Sequence, residues 1–196
     1  MQELGRIVKL QVQRSGLKNP AAPPARHPRV FDPAPLLEVP ELSLTPDGVL
    51  GLPGDVIDVH NRLHPETRNI GKNPVSVGFT AHYALMRGRF GEHLPDGVAG
   101  ENVLVESAAS VDPTRLTGGI GIRTRDGQLV KLEQVIVAEP CVEFTRFALR
   151  LTPNEPTNDD VTDGLRFLRE GVRGFYATYA GDAVVLRPGD AVFSLD

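Results

Sequence analysis

A mainly β protein, a compact barrel under a few covering helices, is the architecture to expect of this chain, and three observations lead there. Short alternating apolar–polar runs recur along its 196 residues, each the mark of a half-buried strand. Its 20 glycines and 17 prolines fall largely between those runs, where turns belong. Helical periodicity convinces over one segment only, and no internal repeat or linker divides the chain, so residues 1–196 read as one domain.

Taken in order, GRIVKLQVQ puts Val8, Leu10 and Val12 on one face of a strand and Lys9, Gln11 and Gln13 on the other. Seven prolines then fall between Asn19 and Pro40. Proline has no amide hydrogen to give a sheet ladder, so residues 19–40 read as an extended surface loop. ELSLTPDGVLGLPGD is a strand, a Pro-Asp-Gly turn, a short apolar stretch and a tight turn at Gly54-Asp55. HNRLHPETRNIGKN is polar and aperiodic, hence loop. In PVSVGFT, Val75, Val77 and Phe79 alternate with small residues as in a strand, and Thr80 is placed to cap a short helix behind it. NVLVES is a short strand. GGIGIRTRDGQLVKLEQVIVA is the clearest hairpin, two β-prone arms about a two-residue Asp126-Gly127 turn. The convincing helix is NDDVTDGLRFLREG: Val161, Leu165, Leu168 and Val172 form one stripe, Asn158 or Asp159 can cap it, and Gly171 or Gly174 can end it. The last twenty or so residues hold two or three short strands and a Pro-Gly-Asp turn.

Composition removes several functions. A net charge of −4 and a pI near 5.7 argue against general nucleic-acid binding, which leaves a basic excess. The opening lacks the layout of a secretory leader, and no apolar run reaches membrane-spanning length. The lone cysteine, Cys141, can form neither an internal disulfide nor a cysteine-cluster metal site, so a reducing cytoplasm is the expected compartment. GGIGIR lies inside a hairpin arm rather than between strand and helix, so the dinucleotide fingerprint fails on context. Neither a GxxxxGK[ST] loop nor a GxSxG elbow occurs.

Four features remain that carry chemistry. His60 and His64 have metal-ligand spacing, but Pro65 and the polar surroundings make this a loop rather than a helix face; His82 and His93 stand alone as satisfied polar or surface residues. Arg62, Arg68, Lys72, Arg87 and Arg89 fall within 28 residues, either a local anion site or a solvated surface. In Gly100-Glu101-Asn102 the glycine permits close backbone approach and the amide can read a flat heterocycle edge, although a plain turn uses the same residues. Cys141 follows Pro140 at the end of an apolar run. It is either packed, as free cysteine commonly is, or a ligand or nucleophile at a pocket mouth, with Arg146 near enough in sequence to favour its thiolate.

The ordered set GRIVKLQV, GLPGD at 51–55, GEN at 100–102, the hairpin leading to EPC at 139–141, and RPGDAVFSL at 187–195 resembles the MOSC domain, named for the C-terminal domain of molybdenum-cofactor sulfurase. The resemblance spans nearly the whole chain and is to the stand-alone bacterial type. One departure is Gly118-Gly119, where relatives often have Gly-Asp. The resemblance implies a barrel of the pyruvate-kinase-barrel type and chemistry with molybdenum cofactor (molybdopterin) or activated sulfur. It makes Cys141 a molybdenum ligand or a carrier of sulfane sulfur, and Glu101 and Asn102 pocket residues. Arg62, Arg68, Lys72 and Arg87 become candidates for the pterin phosphate. An oxidoreductase acting on N-hydroxylated small molecules with electrons from a separate reductase is one expectation. A sulfur carrier served by a sulfur donor is another, and a non-catalytic barrel binding a small anion a third. No pyridoxal phosphate, nucleic acid or membrane partner is expected of this chain.

Overall fold

The computed structural model describes residues 1–23, 25–68 and 74–195; Lys72 lies outside the described residues. The first half of the chain forms strands β1 (Gln2–Gln13), β2 (Lys18–Pro20), β3 (Arg29–Phe31), β4 (Leu36–Glu38), β5 (Glu41–Thr45), β6 (Gly48–Leu52), β7 (Val56–Ile57) and β8 (Val75–Phe79), then helix α1 (Thr80–Phe90). The second half forms β9 (Val103–Glu106), β10 (Ile120–Arg123), β11 (Leu129–Val137), helices α2 (Val142–Ala148) and α3 (Asp159–Phe167), and strands β12 (Phe175–Thr178), β13 (Val184–Leu186) and β14 (Ala191–Ser194).

Seven strands close a mixed barrel in the order β14-β10-β11-β12-β8-β9-β1, with β1 returning to β14. Each of these pairs is antiparallel except β8–β9, which runs parallel and takes α1 as its crossover, as parallel strands require. The twelve-residue β1 turns the barrel's corner through register shifts at Glu3/Gly5 and Ile7/Lys9. Gly5 is obligatory there: it has φ +150, and a Cβ would sit 1.8 Å from the Glu106 carbonyl oxygen. A second sheet, β13-β5-β6-β7, packs against β1.

The barrel interior is a continuous apolar cluster that includes Ile7, Leu10, Val77, Phe79, Ile120 and Leu132. A second cluster, with Tyr83, Met86, Phe144 and Leu168, seals the helices onto the outside. Strand β8 therefore has no wet face. Its alternation is real, but its small residues face the second layer, where a Cβ on Gly78 would lie 2.7 Å from Cγ of Glu101.

Several expectations need correction. Residues 19–40 are not bare loop. They carry a short β2–β3 hairpin and strand β4, which extends the end of β1, with Pro20 at the terminus of β2 where no ladder hydrogen is missed. Thr80 is not a cap: Phe79 occupies that position without a side-chain bond, and Thr80 Oγ1 accepts the Ser107 amide instead. The β10–β11 turn closes on a Thr124–Gln128 pair through residues 125–127, one more than a two-residue turn, with Gly127 at φ 84. Helix α3 is capped by Asn158 as its sequence implies, then relaxes through a π turn over Leu168–Val172 and stops at Gly171, φ 91. Among the described residues no helix is long and apolar enough to cross a membrane.

His82, in the first turn of α1, is buried. Its Nε2 accepts the Val111 amide at 2.9 Å, while Nδ1 is buried without a hydrogen-bond partner. Burial lowers its pKa from 6.5 to about 4. The unfolded chain thus takes up a proton below about pH 6.5 that the native protein refuses until about pH 4. Stability from this group falls as pH drops through that window, by about 3 kcal/mol in all. In His82→Gln, which keeps an acceptor for Val111, the pH dependence of urea unfolding between pH 6.5 and 4 should flatten by that amount.

Candidate functional site

Strand β11 runs out through Pro140 into Cys141, whose extended backbone (φ −112, ψ 155) begins α2 and whose Sγ accepts the Phe144 amide at 3.4 Å. Helix α2 had no strong sequence signal: only Phe144, Phe147 and Ala148 mark its buried side. The half-buried thiol stands on the wall of a cleft of about 1150 Å3. Residues of the β2–β3 hairpin of the proline-rich segment line the same cleft, as do Ala99 and Gly100.

The cations at this cleft come from all over the chain. Lys18, Arg29, Arg68 and Arg173 line it, against Glu66 and Glu139. Lys18 Nζ and Arg29 Nε share one carboxylate, that of Glu143, at 3.5 and 3.2 Å, and this pins the hairpin onto α2. Burial acts to raise the Glu143 pKa, but its own amide, the two cations and a hydrogen bond with Cys141 outweigh that and hold it below the ordinary carboxylate value. Glu139 is paired with Arg169 at 3.3 Å. The cleft therefore has a surplus of positive charge, as an anionic ligand requires.

Arg173, not Arg146, is the cation beside Cys141. The glycines flanking it make the approach possible: at Gly174, φ +101, a Cβ would press on the Val77 carbonyl at 2.8 Å. The guanidinium donates to Glu101 Oε1 at 3.3 Å and to the Ala99 carbonyl, and lies over the Phe144 ring at 5.3 Å. Burial works against its charge, but Glu101, Tyr176, Tyr83 and Cys141 together raise its pKa above the already high ordinary value. Tyr83 completes the chain, donating to Glu101 Oε2 at 2.6 Å and accepting the Ala99 amide; burial and the Glu101 charge push its phenol pKa well up. Arg146 instead points away, donating to the Thr152 and Glu155 carbonyls.

Glu101 and Asn102 sit behind the cleft rather than on its lining. Glu101 holds Arg173 forward. Asn102 spends its amide on structure: Oδ1 accepts from the Ser76 amide and hydroxyl, and Nδ2 donates to Asp58 Oδ2 at 2.8 Å and to the Gln11 carbonyl. The basic run of the sequence disperses. Arg68 reaches the cleft; Arg62 pairs with Asp47 at 2.8 Å, Arg87 with Asp96 at 2.6 Å, and Arg89 stacks on Phe167.

The histidine pair separates as well. His64 uses both ring nitrogens, accepting the Glu66 amide at Nδ1 and donating from Nε2 to the Arg14 carbonyl. His60 lines the cleft, its Nδ1 held 2.9 Å from Oδ1 of Asp58. Asp58 is fully buried and also accepts the amides of Gln13 and His60 and the Asn102 side chain. Such a carboxylate sets the tautomer and orientation of an imidazole at a working surface. His93 is half-buried, with neither ring nitrogen hydrogen-bonded.

Among the described residues no three His, Cys, Asp or Glu side chains converge as a metal site. A metal held by protein ligands alone does not fit. A metal arriving with its own organic ligands, and needing a single soft donor from the chain, does fit Cys141.

No protein-family model matches the sequence, and no curated protein does. Solved structures do match. YuaD from Bacillus subtilis is 15% identical, with 96% of this chain and 93% of that one covered and a TM-score of 0.60. An uncharacterised protein is 12% identical over 99% of this chain and 68% of its own, TM-score 0.55. YiiM from Geobacillus stearothermophilus, a MOSC-domain protein, is 15% identical over 100% and 75%, TM-score 0.50. This chain thus shares the fold of these proteins, a MOSC-like β-barrel.

Proposed function

We propose that this protein binds molybdenum cofactor through the thiolate of Cys141 and reduces N-hydroxylated small molecules. The observation that carries the reading is a single half-buried thiol on the wall of a large, cation-rich cleft in a MOSC-like barrel. Lys18, Arg29 and Arg68 are the groups disposed to hold the pterin phosphate; of the described cations in the run at residues 62–87, only Arg68 is among them. When bound, the cofactor supplies the redox-active centre. Cys141 fixes it with one soft ligand, kept in place by the Phe144 amide. Arg173 sets the charge beside that sulfur, and Glu101 and Tyr83 hold Arg173. Reduction of N–OH to N–H with release of water consumes two electrons and two protons. We assign to His60, a cleft-lining residue whose Nδ1 is held by Asp58, the delivery of a proton to the departing oxygen. Electrons come from a separate reductase, because this sequence carries no flavin or iron–sulfur motif.

The exposure of the thiol at the cleft also suits a second reading, sulfur carriage, in which Cys141 bears a persulfide received from a donor protein. Elemental analysis separates the two. Protein made in a host with ample cofactor should hold about one molybdenum per chain, and Cys141→Ser should hold none. Absence of metal from both, with a persulfide on the wild-type thiol, would replace the first reading by the second.

A further inference from the structure

The reduction proposed above takes two protons, and His60 is assigned one of them. Breaking N–O with two added electrons leaves one electron pair on the hydroxyl oxygen and one on nitrogen. Each pair takes a proton, so a second acid has to stand at the cleft. Its lining arginines do not give up a proton in a protein, and its lining carboxylates have none to give at neutral pH. Lys18 is tied to Glu143 at 3.5 Å, and Cys141 serves as the ligand. Apart from His60, that leaves the phenol of Tyr176.

Tyr176 is also well placed. Its neighbours on β12, Phe175 and Ala177, are each 1% exposed in the barrel core. By strand alternation Tyr176 therefore projects outward, where it stands half-buried on the cleft. Its partner on β11 is Ile136, on the strand that runs on to Cys141. Of the three tyrosines in the chain, Tyr83 donates to Glu101 and Tyr179 to the Asp182 carbonyl. Among the described residues Tyr176 makes no hydrogen bond, so its hydroxyl is open to a ligand. Arg173 stands within electrostatic reach of both this phenol and the Cys141 sulfur. A phenolate left behind would form beside a fixed positive charge. We infer that Tyr176 is the second catalytic acid, its phenol delivering the proton that ends on the substrate nitrogen. The assignment rests on the reductase reading. The phenol O–H bond breaks, the phenolate remains opposite Arg173, and solvent returns the proton through the cleft between turnovers.

Tyr176→Phe removes the hydroxyl and keeps the ring. Made in a host with ample cofactor, it should hold as much molybdenum as the wild type and melt at the same temperature. With benzamidoxime as substrate and reduced methyl viologen supplying electrons, its kcat should fall about a hundredfold, with KM little changed. A second readout needs no cofactor. The Cζ carbon resonance of Tyr176, identified by its absence from Tyr176→Phe, should move in the Glu101→Leu/Arg173→Met protein. A kcat within about twofold of wild type at equal molybdenum overturns the assignment, and so does an unmoved resonance. Wild-type protein without molybdenum or activity overturns the reductase reading itself, and this assignment falls with it.

Discussion

Glu101→Ala is expected to destabilise the protein by about 3–5 kcal/mol, a fall in Tm of roughly 6–20 °C for a chain of this size. The side chain is 1% exposed and is the carboxylate facing both Arg173 and the Tyr83 hydroxyl. Truncation strands a guanidinium whose own exposure is only 13%, and a buried charge robbed of its partner costs far more than the pair contributed. Glu101→Gln should cost less, because its carbonyl still accepts from Tyr83. The double variant Glu101→Leu/Arg173→Met should recover part of the loss by removing both charges together. Thermal melts of the three variants decide this. If Glu101→Ala melts within a degree or two of wild type, the Tyr83–Glu101–Arg173 chain has no structural weight.

Asp58→Leu is the second large effect, about 3 kcal/mol or more, since each buried donor left without an acceptor costs about 1–3 kcal/mol. Four donors lose their acceptor at once: the Gln13 amide, the Asn102 side chain, and the His60 amide and Nδ1–H. Asp58→Asn retains part of the acceptor set and should fall between. Urea unfolding measures the cost. Nitrogen NMR of the imidazole supplies the functional readout: His60 should change from one dominant Nδ1–H tautomer to a mixture in Asp58→Leu. An unchanged tautomer would separate Asp58 from any role in orienting His60.

The residues that form these clusters show which inferences a sequence supports. Strands such as β5 and β14, buried at every second position, follow from alternation, because one strand's pattern is local. So does α3, whose stripe and cap lie within a few residues. Cys141 stands out in the sequence because it is alone in composition and follows a proline. Arg173 gave no local sign beyond Gly171 and Gly174 on either side of it, and its partner Glu101 is 72 positions away. Lys18 and Arg29 were hidden by the prolines, which argue correctly against a central strand but say nothing against a short edge hairpin. Linear proximity misled in the opposite direction at Arg62 and Arg87: cations close in sequence went to separate surface carboxylates. Asn102 had the right chemistry for a ligand edge. Its hydrogen bonds were already committed to Ser76, Asp58 and Gln11, contacts that only the closed barrel creates.

The closure itself has a temporal consequence. Gln2 pairs with Ser194 and Arg6 with Ala191, so the strand made first must wait for one of the last. At about 5–20 residues per second of synthesis, β1 spends on the order of ten to forty seconds with that edge open, and β10, whose other neighbour is β14, waits roughly four to fourteen seconds. A nascent chain on the ribosome therefore carries two unfinished sheet edges over an apolar interior until its final strand emerges. Those are the conditions under which strands pair with the wrong neighbour. Glu3 and Arg6 on the first strand, and Arg123 on the tenth, place charge along both waiting edges.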